Sequence, residues 1–360
     1  MDRRTVIPFG PHHPVLPEPL HLELVMEDEV VVKAIPSIGF VHRGIEKLVE
    51  KKDFNEFLYV AERICGICSF MHGMGYCMTI EEIMNIEVPE RAVFLRTLWA
   101  ECSRIHSHLL WMGLAADAIG FESLFMHSWR LREHILDVFD MTTGGRVIFS
   151  VCKVGGVKKD IDGEKMKRIL EILDKIDSGL DELAKVFLHD KSISHRFRGI
   201  GTLSKESAVA LGAVGPVARA SGVMFDVRNS NYAAYPHLDF RMQVDDAGDS
   251  LARTRVRVKE IYESIRLIRK IAEIMPQSDI IDVKVKGNPD GEAFMRLEQP
   301  RGEVVYYAKG NGTKHLDRFY ARTATFANVA ALLEMIEGVE LADIPVLITT
   351  IDPCISCVER

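Results

Sequence analysis

The feature that most constrains this chain is a repeated cysteine spacing at its two ends. The stretch "ERICGICSF" at 62–70 carries Cys65 and Cys68, and "DPCISCVER" at 352–360 carries Cys354 and Cys357, three residues before the last position. The short turn within a C-x-x-C pair lets both sulfurs converge on one metal, and two pairs supply four thiolates, enough for a tetrahedral site. Zinc ribbons place their second pair ~15–20 residues after the first; here most of the chain intervenes. A site joining both ends has to lie inside the fold. That is an odd place for a small structural zinc and a suitable one for a catalytic metal sealed from water. Spacing alone leaves structural zinc open beside a buried catalytic centre. Separate redox-active pairs also stay open, although neither pair sits in a thioredoxin-like βαβ pattern.

Seven cysteines, an odd number, follow a start, "MDRRTVIPFGPHHPV", that has no apolar signal region. A disulfide framework is therefore not expected, and a reducing compartment is. A content of 47% apolar and 27% charged residues describes a folded chain, and a net charge of −7 argues against a nucleic-acid partner. No apolar run reaches the ~18 residues of a membrane span. Without repeats, low-complexity tracts or linkers, one domain over 1–360 is expected. It would have an N-terminal β part over 1–60, a helical core over 61–295 and a C-terminal part over 296–360.

Periodicity fills in this outline. "LHLELVMEDEVVVK" at 20–33 alternates, breaks at Glu27-Asp28-Glu29 and resumes, as a β-hairpin does. From Pro89 to Gly120, Leu95, Leu98, Trp99, Cys102, Ile105 and Leu109 recur at helical steps. A second helix is expected over 162–188 on the stripe Met166, Ile169, Leu173, Ile176, Leu180, Leu183 and Phe187, and a third from Thr254 to Met275. "RTRVRVK" at 253–259 is expected to scatter its charges over a solvated helix face. "EVVYYAKGNGTKHLDRFYART" reads as a hairpin turning at Gly310-Asn311-Gly312, followed by a short helix from Asn328 to Glu337 that stops at Gly338. The fold class is mainly α with small β elements (α+β). A long-helix bundle is expected, with an N-terminal β-hairpin and a second β-hairpin before the C-terminal metal-binding tail.

The residues around the cysteines narrow the choice. "RICGICSFMH" (Arg63 to His72) together with "DPCISC" closely resembles the paired cysteine motifs of the nickel–iron hydrogenase large subunit. "GFVHRGIEKL" at 39–48 resembles that family's RGxE element, and "EQPRGEVVYY" at 298–307 its PRG element. "GPHHPVLPEPLHLEL" and "HRGIEKL" also resemble the complex I subunit that helps to form the quinone site, which lacks the four metal-binding cysteines. Keeping all four, the chain looks like a member of the membrane-associated, energy-converting branch of the hydrogenases. Its compact length suits the ferredoxin- or carbon-monoxide-linked members.

The resemblance implies a role for particular residues. Cys65 and Cys354 would be terminal nickel ligands, and Cys68 and Cys357 would also bridge to an iron carrying carbon monoxide and cyanide. Soft thiolates suit such metals, and a metal-bound thiol is already deprotonated, so Cys354 would serve as first base. Glu18 would relay the proton, although by its own spacing it reads as a solvated carboxylate before a strand. Arg301 would sit above the open metal position with Asp352 orienting it, Asp117 would stand near that arginine, and His72 would hydrogen-bond a cysteine sulfur. Many members end in a histidine that helps Glu46 bind magnesium; here Arg360 stands at that place, so a salt bridge to Glu46 is the alternative to the ion. In the family a C-terminal extension is commonly trimmed at this point, so this terminus is either a trimmed product or encoded as such.

Cys77, Cys102 and Cys152 stand alone, and no iron–sulfur cluster is expected in this chain. The resemblance therefore implies a small subunit carrying a [4Fe–4S] cluster, membrane subunits that translocate ions, and exchange of electrons with ferredoxin. A place on the cytoplasmic side of the membrane follows. Two other readings remain: a complex I-like quinone-site subunit without hydrogenase activity, and a zinc-stabilised scaffold.

Overall fold

A computed structural model describes residues 4–360. Long helices dominate it, with three small antiparallel sheets. The expected N-terminal hairpin is present as β2 (His21–Glu27) and β3 (Val30–Ser37). Leu22, Leu24 and Met26 point inward from alternate positions of β2, and Asp28 turns the chain at φ 54°. A further strand, β1 (Arg4–Phe9), pairs with the other edge of β2. Its side chains are largely exposed, so it carries no alternation for a sequence pattern to detect.

The helical body is built from α1 (Phe54–Ala61), α2 (Ser69–Met84), α3 (Glu90–Ala118), α4 (Glu122–Thr143), α5 (Gly163–His189) and α6 (Ser250–Ile274). The expected helices correspond to α3, α5 and α6. Helix α3 begins just after Pro89 and ends before Gly120, which adopts φ +75°. Asp162 caps α5 by accepting from the Lys165 amide at 2.8 Å. Asp249 caps α6 through the Ala252 amide at 2.7 Å, so that helix starts four residues before the expected Thr254. Helix α2 is buried on nearly every side, and α4 packs antiparallel along α3. A helix enclosed all round shows no apolar stripe, which is why α2 escaped periodicity.

Two expectations about this body are corrected. Arg253 and Arg257 are fully buried, not spread over a solvated face. Helix α6 is held between α3 and α5, and residues four apart share one helix side. Arg253 donates to the carbonyls of Gly201 (3.0 Å) and Gly248 (2.9 Å), and Arg257 lies 4.5 Å from the centre of the Trp111 ring. The helical core also stops short of residue 295. Strand β6 (Asp290–Gln299) begins at 290 and pairs with β7 (Gly302–Asn311), which pairs in turn with β8 (Leu316–Arg322). Between β3 and β6 in chain order stand only the short pair β4 (Cys152–Lys153) and β5 (Gly156–Val157), which form the second sheet. The β7–β8 hairpin turns at 312–315, a little beyond the expected Gly310-Asn311-Gly312.

The chain ends with α7 (Ala324–Ile336), α8 (Ile344–Thr350) and α9 (Ile355–Glu359). Helix α7 starts four residues before the expected Asn328 and stops before Gly338 at φ +83°. Leu22 and Leu24 from the N-terminal sheet share one apolar core with Ile344, Leu347, Ile348 and Ile355. Both ends of the chain are thereby packed together. The second and larger core surrounds α2 and α3, and the four distant cysteines lie in it.

Candidate metal centre

The first cysteine pair is shaped by its own backbone. The amides of Ile67 and Cys68 point at Cys65 Sγ, 3.3 and 3.4 Å away, which closes the turn that Cys68 ends as it caps α2. Cys354 stands before α9, its amide held by Thr325 Oγ1 at 3.2 Å, and Thr323 donates to the Cys357 carbonyl at 2.9 Å. These contacts bring the pairs together. Cys354 Sγ lies 3.3 Å from Cys65 Sγ, and Cys357 Sγ lies 3.4 Å from Cys68 Sγ. All four sulfurs fall within 4.8 Å of one another, and no cysteine is more than 4% exposed.

This donor set fits a metal centre. Thiol hydrogen bonds from Cys354, Cys357 and Cys65 hold Cys68 well below the ordinary thiol range, whereas burial pushes Cys357 well above it. Four buried thiols ionise together only around cationic charge. The two sides of the cluster differ. Cys68 and Cys357 face His72, whose Nε2 is 3.6 and 3.3 Å from their sulfurs. Cys65 and Cys354 face a largely apolar cavity of about 310 Å³, whose walls include Glu18, Trp111, Trp129 and Arg301. An accessible face of this kind is what a catalytic metal site needs, whereas structural sites are closed.

Arg301 and Asp352 form one unit above that face. Arg301 Nη2 donates to Asp352 Oδ1 at 2.8 Å and its Nε to the Asp352 carbonyl at 2.9 Å, while Nη1 reaches Ser107 Oγ at 3.3 Å. Asp352 adopts φ 56°, a left-handed conformation in which its carbonyl oxygen and Oδ1 both meet the same guanidinium. Burial opposes the charge on Arg301. Asp352, then the thiols of Cys354, Cys68 and Cys65, more than offset it and hold Arg301 above the usual guanidinium range. Glu18 accepts from the Ser356 amide at 3.1 Å and from the Ser356 hydroxyl. It is thereby held by the residue two positions after Cys354, on the wall of the same cavity.

Asp117 is not brought to this unit. It is exposed at the last turn of α3, and its carbonyl accepts from the Gly120 amide. Ser107, ten residues earlier on α3, makes the contact to Arg301 instead. Away from the cavity, Arg360 Nε lies 2.7 Å from Glu46 Oε1, which also accepts from the Ala321 amide at 3.1 Å. The Arg360 guanidinium packs over Tyr320 and Phe326.

Sequence reasoning missed the charged cluster behind the site. Glu101 and Arg104 on α3, Glu260 on α6, Arg219, Asp226, Arg228 and Glu298 are all buried. Arg219 pairs with Glu260 at 2.6 Å and with Glu298 at 2.7 Å, and Arg228 pairs with Asp226 at 2.7 Å. His108 Nε2 is 3.0 Å from Glu260 Oε2. Hydropathy places each of these residues at the surface, and only three-dimensional pairing makes their burial affordable.

Set against known proteins, residues 118–288 and 283–360 match the family described as the respiratory-chain NADH dehydrogenase 49 Kd subunit, and residues 43–115 match the nickel-dependent hydrogenases. The chain belongs to this combined family of hydrogenase large subunits and complex I subunits, and is a subunit type of oxidoreductase complexes. Among particular relatives it is 40% identical to a carbon monoxide-induced hydrogenase of Rhodospirillum rubrum, over 98% of this chain and 99% of that one. It is 38% identical to the membrane-bound hydrogenase subunit alpha of Pyrococcus furiosus, over 98% and 87%. A chain in the structure of the membrane-bound sulfane sulfur reductase, an archaeal respiratory membrane complex, superposes with a TM-score of 0.95 at 31% identity, over 99% of both. No described helix is long and apolar enough to cross a membrane.

Proposed function

We propose that this chain is the catalytic subunit of an energy-converting [NiFe] hydrogenase, which cleaves and forms H2 heterolytically. The observation that carries the reading is the open Cys65/Cys354 face, which meets Glu18 and the Arg301–Asp352 pair in one cavity. A nickel–iron centre held by Cys65, Cys68, Cys354 and Cys357, its iron carrying carbon monoxide and cyanide, would supply a redox-active acceptor for the electron pair of the H–H bond. The remaining work falls to this chain. The Cys354 thiolate takes the proton, and Glu18, held by Ser356, passes it towards solvent. Arg301 stays charged and planar, and Asp352 holds its guanidinium in place on the cavity wall. His72 steadies Cys68 and Cys357 from behind.

The apolar walls, Trp111 and Trp129 among them, favour a small uncharged substrate. Beside Glu46, the Arg360 guanidinium takes the place of a magnesium ion. The partners are a small subunit with a [4Fe–4S] cluster, ion-translocating membrane subunits on whose cytoplasmic side the chain docks, and ferredoxin. The four converging cysteines, together with relatives named as hydrogenases at 40% and 38% identity, support this choice. Because a structural relative is a sulfane sulfur reductase, the assay should be run with both substrates. Purified complex should exchange D2 with solvent protons and leave sulfane sulfur unreduced; sulfane reduction without exchange would contradict the proposal.

A further inference from the structure

Behind Cys68 and Cys357, a chain of hydrogen bonds runs into the β6–β7 sheet. His72 Nδ1 lies 2.8 Å from the hydroxyl of Tyr306, and Gln299 Nε2 donates to the same hydroxyl at 3.2 Å. Tyr306 is fully buried and Gln299 is 1% exposed. The Tyr306 oxygen already receives a proton from Gln299, and among the described residues its other polar partner is His72. A buried hydroxyl has to place its proton somewhere, so Tyr306 donates to Nδ1. His72 Nε2 then keeps its proton and donates to Cys357 Sγ and Cys68 Sγ.

Helix α2 is shaped around this arrangement. Gly75 stands three positions after His72, where an interior glycine costs the helix ~1 kcal/mol relative to alanine. A Cβ at Gly75 would lie 2.3 Å from Cε2 of Tyr306 and 2.8 Å from Leu297. The glycine is thus the notch that lets the Tyr306 ring approach α2 closely enough to reach His72. Burial pushes the Tyr306 phenol well above its ordinary value, so the ring keeps its proton.

We infer that Tyr306 is a positioning residue, seated by Gly75 and polarised by Gln299, which fixes His72 as the donor to the bridging thiolates. Its effect is to draw electron density from those two sulfurs and so to tune the centre they hold. The inference rests on the proposed nickel–iron reading and goes beyond it, since the four thiols bind their metals with or without this tyrosine.

The test is infrared spectroscopy of the carbon monoxide and cyanide bands in the purified complex. Tyr306→Phe should retain its metals and move the bands to lower wavenumber, because thiolates that lose an N–H···S bond become stronger donors. His72→Ala should move them further in that direction, and Tyr306→Phe added to it should bring no extra shift. Gly75→Ala should behave as Tyr306→Phe, and Gln299→Leu should give a smaller shift of the same sign. Tyr307→Phe, whose exposed hydroxyl donates to Glu292, should leave the bands in place. Unmoved bands in Tyr306→Phe, or a shift that adds to that of His72→Ala, would overturn the inference alone. So would loss of the metals from Tyr306→Phe with normal circular dichroism. A wild type without such bands would overturn the nickel–iron reading itself, and this inference with it.

Discussion

Cys65 Sγ and Cys354 Sγ lie 3.3 Å apart, although 289 positions separate the two residues in the chain. The two segments are tied together locally, by Arg43 donating to the Ile64 and Ser356 carbonyls at 2.9 Å, and all four cysteines lie in the larger apolar core. Cys354 also borders the cavity, and in the proposed reaction it is both ligand and first base. Cys354→Ser should abolish hydrogen turnover while far-ultraviolet circular dichroism stays as in the wild type. Activity near the wild-type level would refute its assignment.

Glu18 makes a more selective test. Gln keeps the size of the side chain and can still accept from the Ser356 amide, but it cannot carry a proton. Glu18→Gln should retain its metals and slow the exchange of D2 with solvent by about 10²–10⁴-fold, the usual worth of a positioned acid–base group. Unchanged exchange would move the proton path elsewhere.

For Arg301, charge and shape can be separated. Lysine keeps the charge but cannot form both bonds to Asp352. Arg301→Lys should leave metal content unchanged and lower the rate by about 10²–10³-fold, as loss of one preorganised donor does. A wild-type rate in steady-state assays would show that charge alone is enough.

The buried cluster predicts a pH dependence of stability. Burial, opposed by the hydrogen bond to Glu260, lowers His108 to about 4 from an ordinary 6.5. The unfolded chain therefore binds a proton that the folded chain refuses between those values. Stability from this group is fully present above pH 6.5 and is lost as the pH falls towards 4, by about 3 kcal/mol in total. Gln at 108 can still donate to Glu260 without titrating. His108→Gln should match the wild type in urea unfolding at pH 7 and surpass it at pH 5; a parallel pH profile would exclude this role for His108.

Much of this architecture was legible in the sequence, and what was not has physical reasons. Helix α5 announced itself because one face is apolar and the other wet. The convergence of the cysteine pairs followed from their spacing and the motifs around them, and Arg301 and Asp352 do meet. Asp117 was misplaced because an aspartate near a helix end carries no mark of direction, whereas Ser107, which does touch Arg301, is chemically unremarked. Arg253 and Arg257 read as surface charges, since their carbonyl partners and the Trp111 ring come from distant segments. Strand β6 was hidden for a related reason: only part of it faces the core, and β7 rather than its own sequence fixes its place.

The central claim is that thiols from both ends of the chain hold one redox-active metal centre. Elemental analysis of the purified complex, compared with Cys65→Ser and Cys357→Ser variants, tests it most directly. Nickel should be found at one atom per chain with iron in equal amount at this site, both lost when a cysteine from either end is replaced. Zinc in that place, or nickel that survives replacement at one end, would contradict the account.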